Sequence, residues 1–232
     1  EASPLSGAEK RNALGGPMAA AIARVAEHPL ISNKSRISNT RYQHREVAAR
    51  LLFVEYSLRS KGRIVDTKRP YLDEMVREFR KDASLAPLCE DIRADVLGVL
   101  DEINPTFRAS DPLLSSQSFM VPLFLSFREL DQEVDLTRKA FEDFKEAIAR
   151  NRLVAEYSLS DASMDFLEYD RLSQQGTNDA SSIVKRAEIL RAYLTGQMDA
   201  DVNMVNLAYQ EIVASGALDD EQARPVADLT LT

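Results

Sequence analysis

Apolar side chains in this chain recur at three- and four-residue steps, segment after segment, and that spacing commits the chain to helices. In "HREVAARLLFVEYSLRSKG", Val47, Leu51, Val54 and Leu58 share one face, because 3.6 residues per turn brings such positions onto a single stripe. Leu52 and Phe53 widen the stripe, so a helix from about Tyr42 to Ser60 is expected to be covered on more than one side. "RPYLDEMVREFRKD" turns Leu72, Met75, Val76 and Phe79 inward and carries Arg77, Arg80 and Lys81 outside or in its last turn, where a cation suits the helix dipole. "APLCEDIRADVLGVLDEINP" keeps Leu88, Ile92, Val96, Val99, Leu100 and Ile103 in register until Pro105. "DLTRKAFEDFKEAIARN" aligns Leu136, Ala140, Phe144 and Ile148 behind an expected Asp135 cap, and "SSIVKRAEILRAYLTG" aligns Ile183, Ala187, Leu190 and Leu194 before Gly196. The fold class that follows is all-α: an irregular multi-helix bundle of about eight to ten helices.

Local signals place the breaks. Ser6 and Glu9 have the spacing of a capping box, Gly15 and Gly16 stop that short helix, and Pro17 suits the first turn of the next, which Pro29 ends. "LISNKSRISNTR" is polar and aperiodic and reads as a basic loop. "SQSFMVPLFLSFREL" is the most apolar segment; it fits a buried helix kinked at Pro122 or a short buried strand. "SDASMDFLEYDRLSQQGTND" reads as a short helix and a turn, "VNMVNLAYQEIV" as helix, and "DDEQARPVADLTLT" as disordered. The expected organisation is a lead-in over 1–29, a helical domain over 30–196 and an acidic segment over 197–232.

Composition removes several chemistries. A chain of 232 residues buries about 70% of its unfolded surface and needs no staple. One cysteine, Cys89, excludes an internal disulfide and suits a reducing, cytoplasmic setting; no run approaches the ~18 apolar residues of a membrane span. Residue 1 is Glu, so the chain is expected to be a processed or truncated piece, or one whose start lies outside the numbering. Two histidines and one cysteine fall short of the three or four ligands a zinc site of that type needs. Neither common nucleotide cradle nor a GxSxG elbow is present. Carboxylates near Asp131 and Glu133 read as helix surface, and Cys89, beside Glu90 and Asp91, as an inert thiol of raised pKa. No catalytic residue, metal or cofactor is expected.

Charge is uneven. The net charge is −8, yet residues 34–69 hold ten Lys or Arg against three acids, a local +7, which leaves −15 for the rest. Two readings stand: solvated helix faces paired with acids elsewhere, or a basic patch that steers a polyanion to one face. Under the second, Lys34, Arg36, Arg41, Arg45 and Arg50 hold phosphates, in a Ser- and Asn-rich stretch ahead of a helix start. Glu46 and Arg50 also have the spacing of a helical ion pair.

The order of three motifs resembles Domain of Unknown Function family 262. "LSGAEKRNAL" resembles that family's L-x-x-x-E-x-R-x-A segment, "RYQHREVAAR" its R-x-x-x-x-E-x-x-x-R helix, and "YLDEMVREF" the helix that follows; "GTNDASSIVKRAEIL" is similar to a late Gly-Thr turn with an Arg-bearing helix. The resemblance covers roughly residues 5–80 and, more loosely, 164–195. It implies a preceding ParB/sulfiredoxin-like domain with a D-G-Q-Q-R motif, and in some members a nuclease domain, in restriction or phage defence. This chain has neither the D-G-Q-Q-R motif ("SQQGTN" at 173–178 is not one) nor histidines to spare for an HNH site. The resemblance therefore implies the helical portion, with DNA-backbone contact and inter-domain or self-association as its work. A structural or protein-interaction module without nucleic acid is the alternative.

Overall fold

The computed structural model of the chain describes residues 4–130, 134 and 136–217. Among them the regular structure is helical, with ten α-helices and no strand. They are α1 (Gly7–Leu14), α2 (Pro17–Ala26), α3 (Gln43–Lys61), α4 (Arg69–Lys81), α5 (Ala86–Ile103), α6 (Gln117–Arg128), α7 (Arg138–Tyr157), α8 (Met164–Gln174), α9 (Ala180–Leu194) and α10 (Asp199–Ala214). The helix starts follow the cap chemistry. Ser6, Ser116 and Ser163 cap α1, α6 and α8 with their hydroxyls. Thr137 caps α7 by accepting from the Ala140 N–H, one turn in; Asp135, the expected cap, lies outside the described residues. Gly62, left-handed at φ 64°, ends α3 and donates its N–H to the Leu58 carbonyl.

One apolar core runs from Met18 in α2 to Val205 in α10. Its axis is α3, where Val47, Leu51, Leu52 and Val54 are fully buried and Leu58 half-buried. The helix is enclosed because α2, α5 and α6 pack around it. The second half is arranged by aromatics: Phe144 of α7 meets Tyr169 of α8 and Tyr193 of α9, both at 4.9 Å between ring centres. Between the halves lies α6, buried from Phe119 to Phe127, against α3 and α5 on one side and α9 on the other.

The apolar segment around Pro122 is thus helix, not strand. A proline inside a helix has no N–H for the carbonyl four residues back. That carbonyl belongs to Ser118, and Arg186 of α9 donates to it at 3.1 Å through Nη1. The same fully buried guanidinium donates to the Thr177 carbonyl at 2.8 Å and the Ser182 carbonyl at 3.3 Å. Arg186 therefore repairs the ladder that Pro122 interrupts and ties the Gly176–Asp179 turn to it.

The stretch read as a basic loop is partly helical. Leu30–Lys34 forms a single π-type turn, closed by the Ser35 N–H on the Leu30 carbonyl at 3.1 Å, with Leu30 and Ile31 fully buried. Three apolar residues, Leu30, Ile31 and Ile37, in an otherwise polar dozen are too few to make a period, so burial alone reveals this turn.

Candidate functional site

The first turn of α1 aims a carboxylate. The Ser6 hydroxyl accepts from the Glu9 N–H at 3.2 Å and the Glu9 carboxylate accepts from the Ser6 N–H at 2.5 Å. Held in that box, Glu9 also meets Arg41, with Nη2 at 3.0 Å and Nε at 3.4 Å. The Arg41 guanidinium, and then the Ser6 N–H, hold the Glu9 carboxyl far below its ordinary value, at about 2, and Glu9 in return raises Arg41. Arg41 also donates to the Pro4 carbonyl.

The next residues along α1 extend the same junction. Arg11, 1% exposed, bridges Glu46 of α3 and Asp73 of α4, the latter at 2.6 Å. Asn12 accepts from Arg45, whose guanidinium also lies 4.9 Å over the Tyr42 ring. Each acid has a second cation: Glu46 holds Arg50 at 3.5 Å and Asp73 holds Arg69 at 3.6 Å. Burial pulls the Arg50 guanidinium down, with Glu46 opposing. The three motifs at the front of the chain are therefore one another's partners. Glu9 and Arg11 come from the first, Arg41, Glu46 and Arg50 from the second, and Asp73 from the third.

The backbone beneath this junction is strained. Arg41 (φ 55°, ψ 37°) and Tyr42 (φ 62°, ψ 39°) are consecutive left-handed residues with side chains, a conformation that costs about 1–2 kcal/mol each. Tyr42 has no side-chain oxygen placed to cap α3. Asn39 does that work from three residues earlier, accepting the His44 N–H at 3.2 Å. His44 is buried and carries its proton on Nε2, since its 2.7 Å partner, the Ile37 carbonyl, can only accept.

Lys34 and Arg36 have a different set of partners. Lys34 donates to the Asn104 carbonyl, and Arg36 donates to the Ser110 carbonyl at 2.8 Å. Backbone bonds from Ser110 to Asn33, Asp111 to Lys34 and Arg36 to Leu114 lay segment 33–36 beside 110–114. Asp111, fully buried, anchors that segment to Arg138 at 2.7 Å; burial would raise its carboxyl, but Arg138 and the N–H groups of Leu113 and Arg108 outweigh burial and lower it. The five basic residues singled out by sequence thus fall into two groups. Arg41, Arg45 and Arg50 lie at the start of α3, and Lys34 and Arg36 lie against the 104–114 segment.

Cys89 and His28 lie away from this junction. Burial, and then Glu90, push the Cys89 thiol up to about 11. His28 accepts from the Leu30 N–H through Nδ1, so its Nε2–H donates to Asp101 at 3.0 Å. An open cleft of about 390 Å³ is lined by Glu102, Thr106, Phe127, Leu130, Val134 and Leu136, among others, and includes none of the five cations. Asp131 and Glu133 lie outside the described residues. Among the described residues no three His, Cys, Asp or Glu side chains gather as a metal site, and no helix is long and apolar enough to cross a membrane. Comparison with protein-family models, curated proteins and solved structures finds no match to this chain.

Proposed function

We propose that this chain is the helical portion of a DNA-targeting protein of the restriction or phage-defence type, and that it touches the DNA backbone through the segment before α3 and the first turns of α3. One observation carries the reading. Lys34, Arg36 and Arg45 are held by uncharged groups: two backbone carbonyls and an asparagine side chain. Such partners position a cation without cancelling its charge, whereas a carboxylate does both. Three positioned cations suit phosphates, and among the described residues no arrangement reads base edges. The order of the motifs supports the wider context, including a preceding ParB-like domain, and the single cysteine supports a cytoplasmic setting.

Binding is then weak, indifferent to sequence and strongly salt-dependent. Replacing Lys34, Arg36 and Arg45 together by Gln keeps hydrogen-bonding capacity and removes charge. A duplex titration over a salt series should show weaker binding by the triple variant. Its slope of log K against log salt should be shallower by about 0.9 for each phosphate that is no longer neutralised. Equal binding by the triple variant, or none by the wild-type chain at low salt, refutes the reading.

A second reading, a protein-interaction or self-association module, is favoured by Tyr157, Leu159, Met164 and Leu207. These are large apolar side chains exposed on the last third of the described chain. Self-association that weakens in Leu207→Ser would support it.

A further inference from the structure

We propose that the face shared by the end of α7, the single turn Leu159–Asp161, the start of α8 and one side of α10 docks a basic amphipathic helix of a partner protein. The proposal rests on the second reading above and names its partner; it does not depend on the phosphate reading.

Polar contacts near both ends of α10 hold these elements together. Near its start, the Ser163 hydroxyl donates to Asp201 at 2.6 Å, which sets Met164, the first residue of α8, beside the first turn of α10. Beyond its end, the Tyr157 hydroxyl donates to the Ala217 carbonyl at 3.0 Å. The turn Leu159–Asp161 packs on both α7 and α10. Within α10 Val205 alone is fully buried. Asp201, Met204, Leu207 and Glu211 follow one another at three- and four-residue steps along one side of the helix. Apolar surface thus runs from Met164 to Met204 and Leu207, and Leu159, Met164 and Leu207 stand 62%, 66% and 63% exposed. Single exposed leucines are ordinary, but large apolar side chains gathered on adjoining elements mark an interaction site. The long direction of this face follows a helix, so a second helix with apolar residues at the same spacing fits along it.

Charge selects the partner. Residues 153–170 and 192–217 together contain eight acids and no Lys or Arg. Asp165, Glu168 and Asp170 are paired with Lys185, Arg171 and Arg152. Arg150 of α7 reaches α10 at Asn206, but Glu146 already pairs it. Glu156, Asp161, Asp199, Asp201 and Glu211 have no ion pair among the described residues. The row on α10 therefore begins and ends in an uncompensated carboxylate, and Lys or Arg flanking the apolar residues of a partner helix complements both. A second copy of this face does not, since two-fold pairing sets the same carboxylates against one another. Residues 218–232 do not suit it by charge either, with four acids against Arg224.

The test titrates labelled peptides against the full chain by fluorescence anisotropy. One peptide carries leucines at helical spacing among lysines, the second replaces each lysine by glutamate, and the third keeps the composition of the first but scrambles the leucines. The lysine–leucine helix should bind the wild-type chain several-fold more tightly than either control. Leu207→Ser and Glu211→Lys, both at exposed positions, should each weaken it several-fold, while Glu74→Lys, exposed on α4, should not. No binding by the wild-type chain, equal binding of either control peptide, or indifference to Leu207→Ser or Glu211→Lys overturns the proposal. Sedimentation of the same proteins separates it from the reading it rests on. If the chain self-associates and Leu207→Ser abolishes that instead, the second reading stands with a second copy as occupant, and the basic partner is refuted. If Leu207→Ser alters neither peptide binding nor self-association, both fall.

Discussion

A single half-buried carboxylate, Glu9, carries much of the local order at the start of the chain. It closes the capping box and pairs Arg41, the first of two consecutive left-handed residues. Its folded-state value of about 2 lies below the ordinary 4.5. The sign follows from linkage: the contribution of the pair is complete above about pH 4.5 and is lost as pH falls toward 2. Carbon-13 titration of the Glu9 carboxyl should therefore give a midpoint near 2. In Arg41→Met the midpoint should rise toward 4.5 without reaching it, because the Ser6 N–H still donates. A wild-type midpoint at the ordinary value would mean that the pair does not form in solution. At this scale the sequence was half legible. Ser6 and Glu9 announce their box by spacing, but nothing local says that residue 41 will answer residue 9.

Among the elements, α6 and α9 show how a defect in one helix is repaired by another. Pro122 frees the Ser118 carbonyl, and Arg186 supplies the missing donor from a fully buried position. Leaving such a carbonyl unpaired costs about 1–3 kcal/mol. Arg186→Met should therefore destabilise the protein. Pro122→Ala should soften that loss by about 1 kcal/mol, because the new N–H at 122 serves Ser118 directly. Urea midpoints of the two single variants and the double variant measure the coupling, and a coupling of zero would show that Arg186 and Pro122 act independently. The missing N–H could be read from Pro122 in the sequence. Its replacement could not, since Arg186 lies 68 residues from Ser118 and looks like any helical arginine until the chain is folded.

Over the whole molecule the two halves share α6 and a second tie. The Thr67 N–H donates to the Asn178 carbonyl at 2.8 Å, Asp66 accepts the Ala180 N–H at 2.9 Å, and Lys68 reaches Asp179 at 2.6 Å. The core passes through α6 without a break, so damage there should be felt on both sides. Phe124→Ala, at a fully buried position, is expected to cost about 3–5 kcal/mol. Hydrogen exchange should quicken in α3 and in α9 by similar factors. A loss confined to one half would show that the halves unfold separately.

Helix identity, most helix ends and the inward faces were decided by the sequence alone, because period and capping act within a few residues. Val47, Leu51 and Val54 are buried as their spacing requires, and Gly62 stops α3 where a left-handed residue is needed. What the charges do was decided only by tertiary structure. The same run of ten cations over 34–69 fits a phosphate-binding patch or a set of internal pairs. Which of these a given arginine joins depends on acids and carbonyls brought to it from 32 residues away, as for Arg41 and Glu9, or from 74, as for Arg36 and Ser110. Hydrophobic burial is a property of a face, and a face can be read from periodicity. An ion pair or a hydrogen bond depends on two atoms a few ångströms apart, and that distance exists only after the helices have packed.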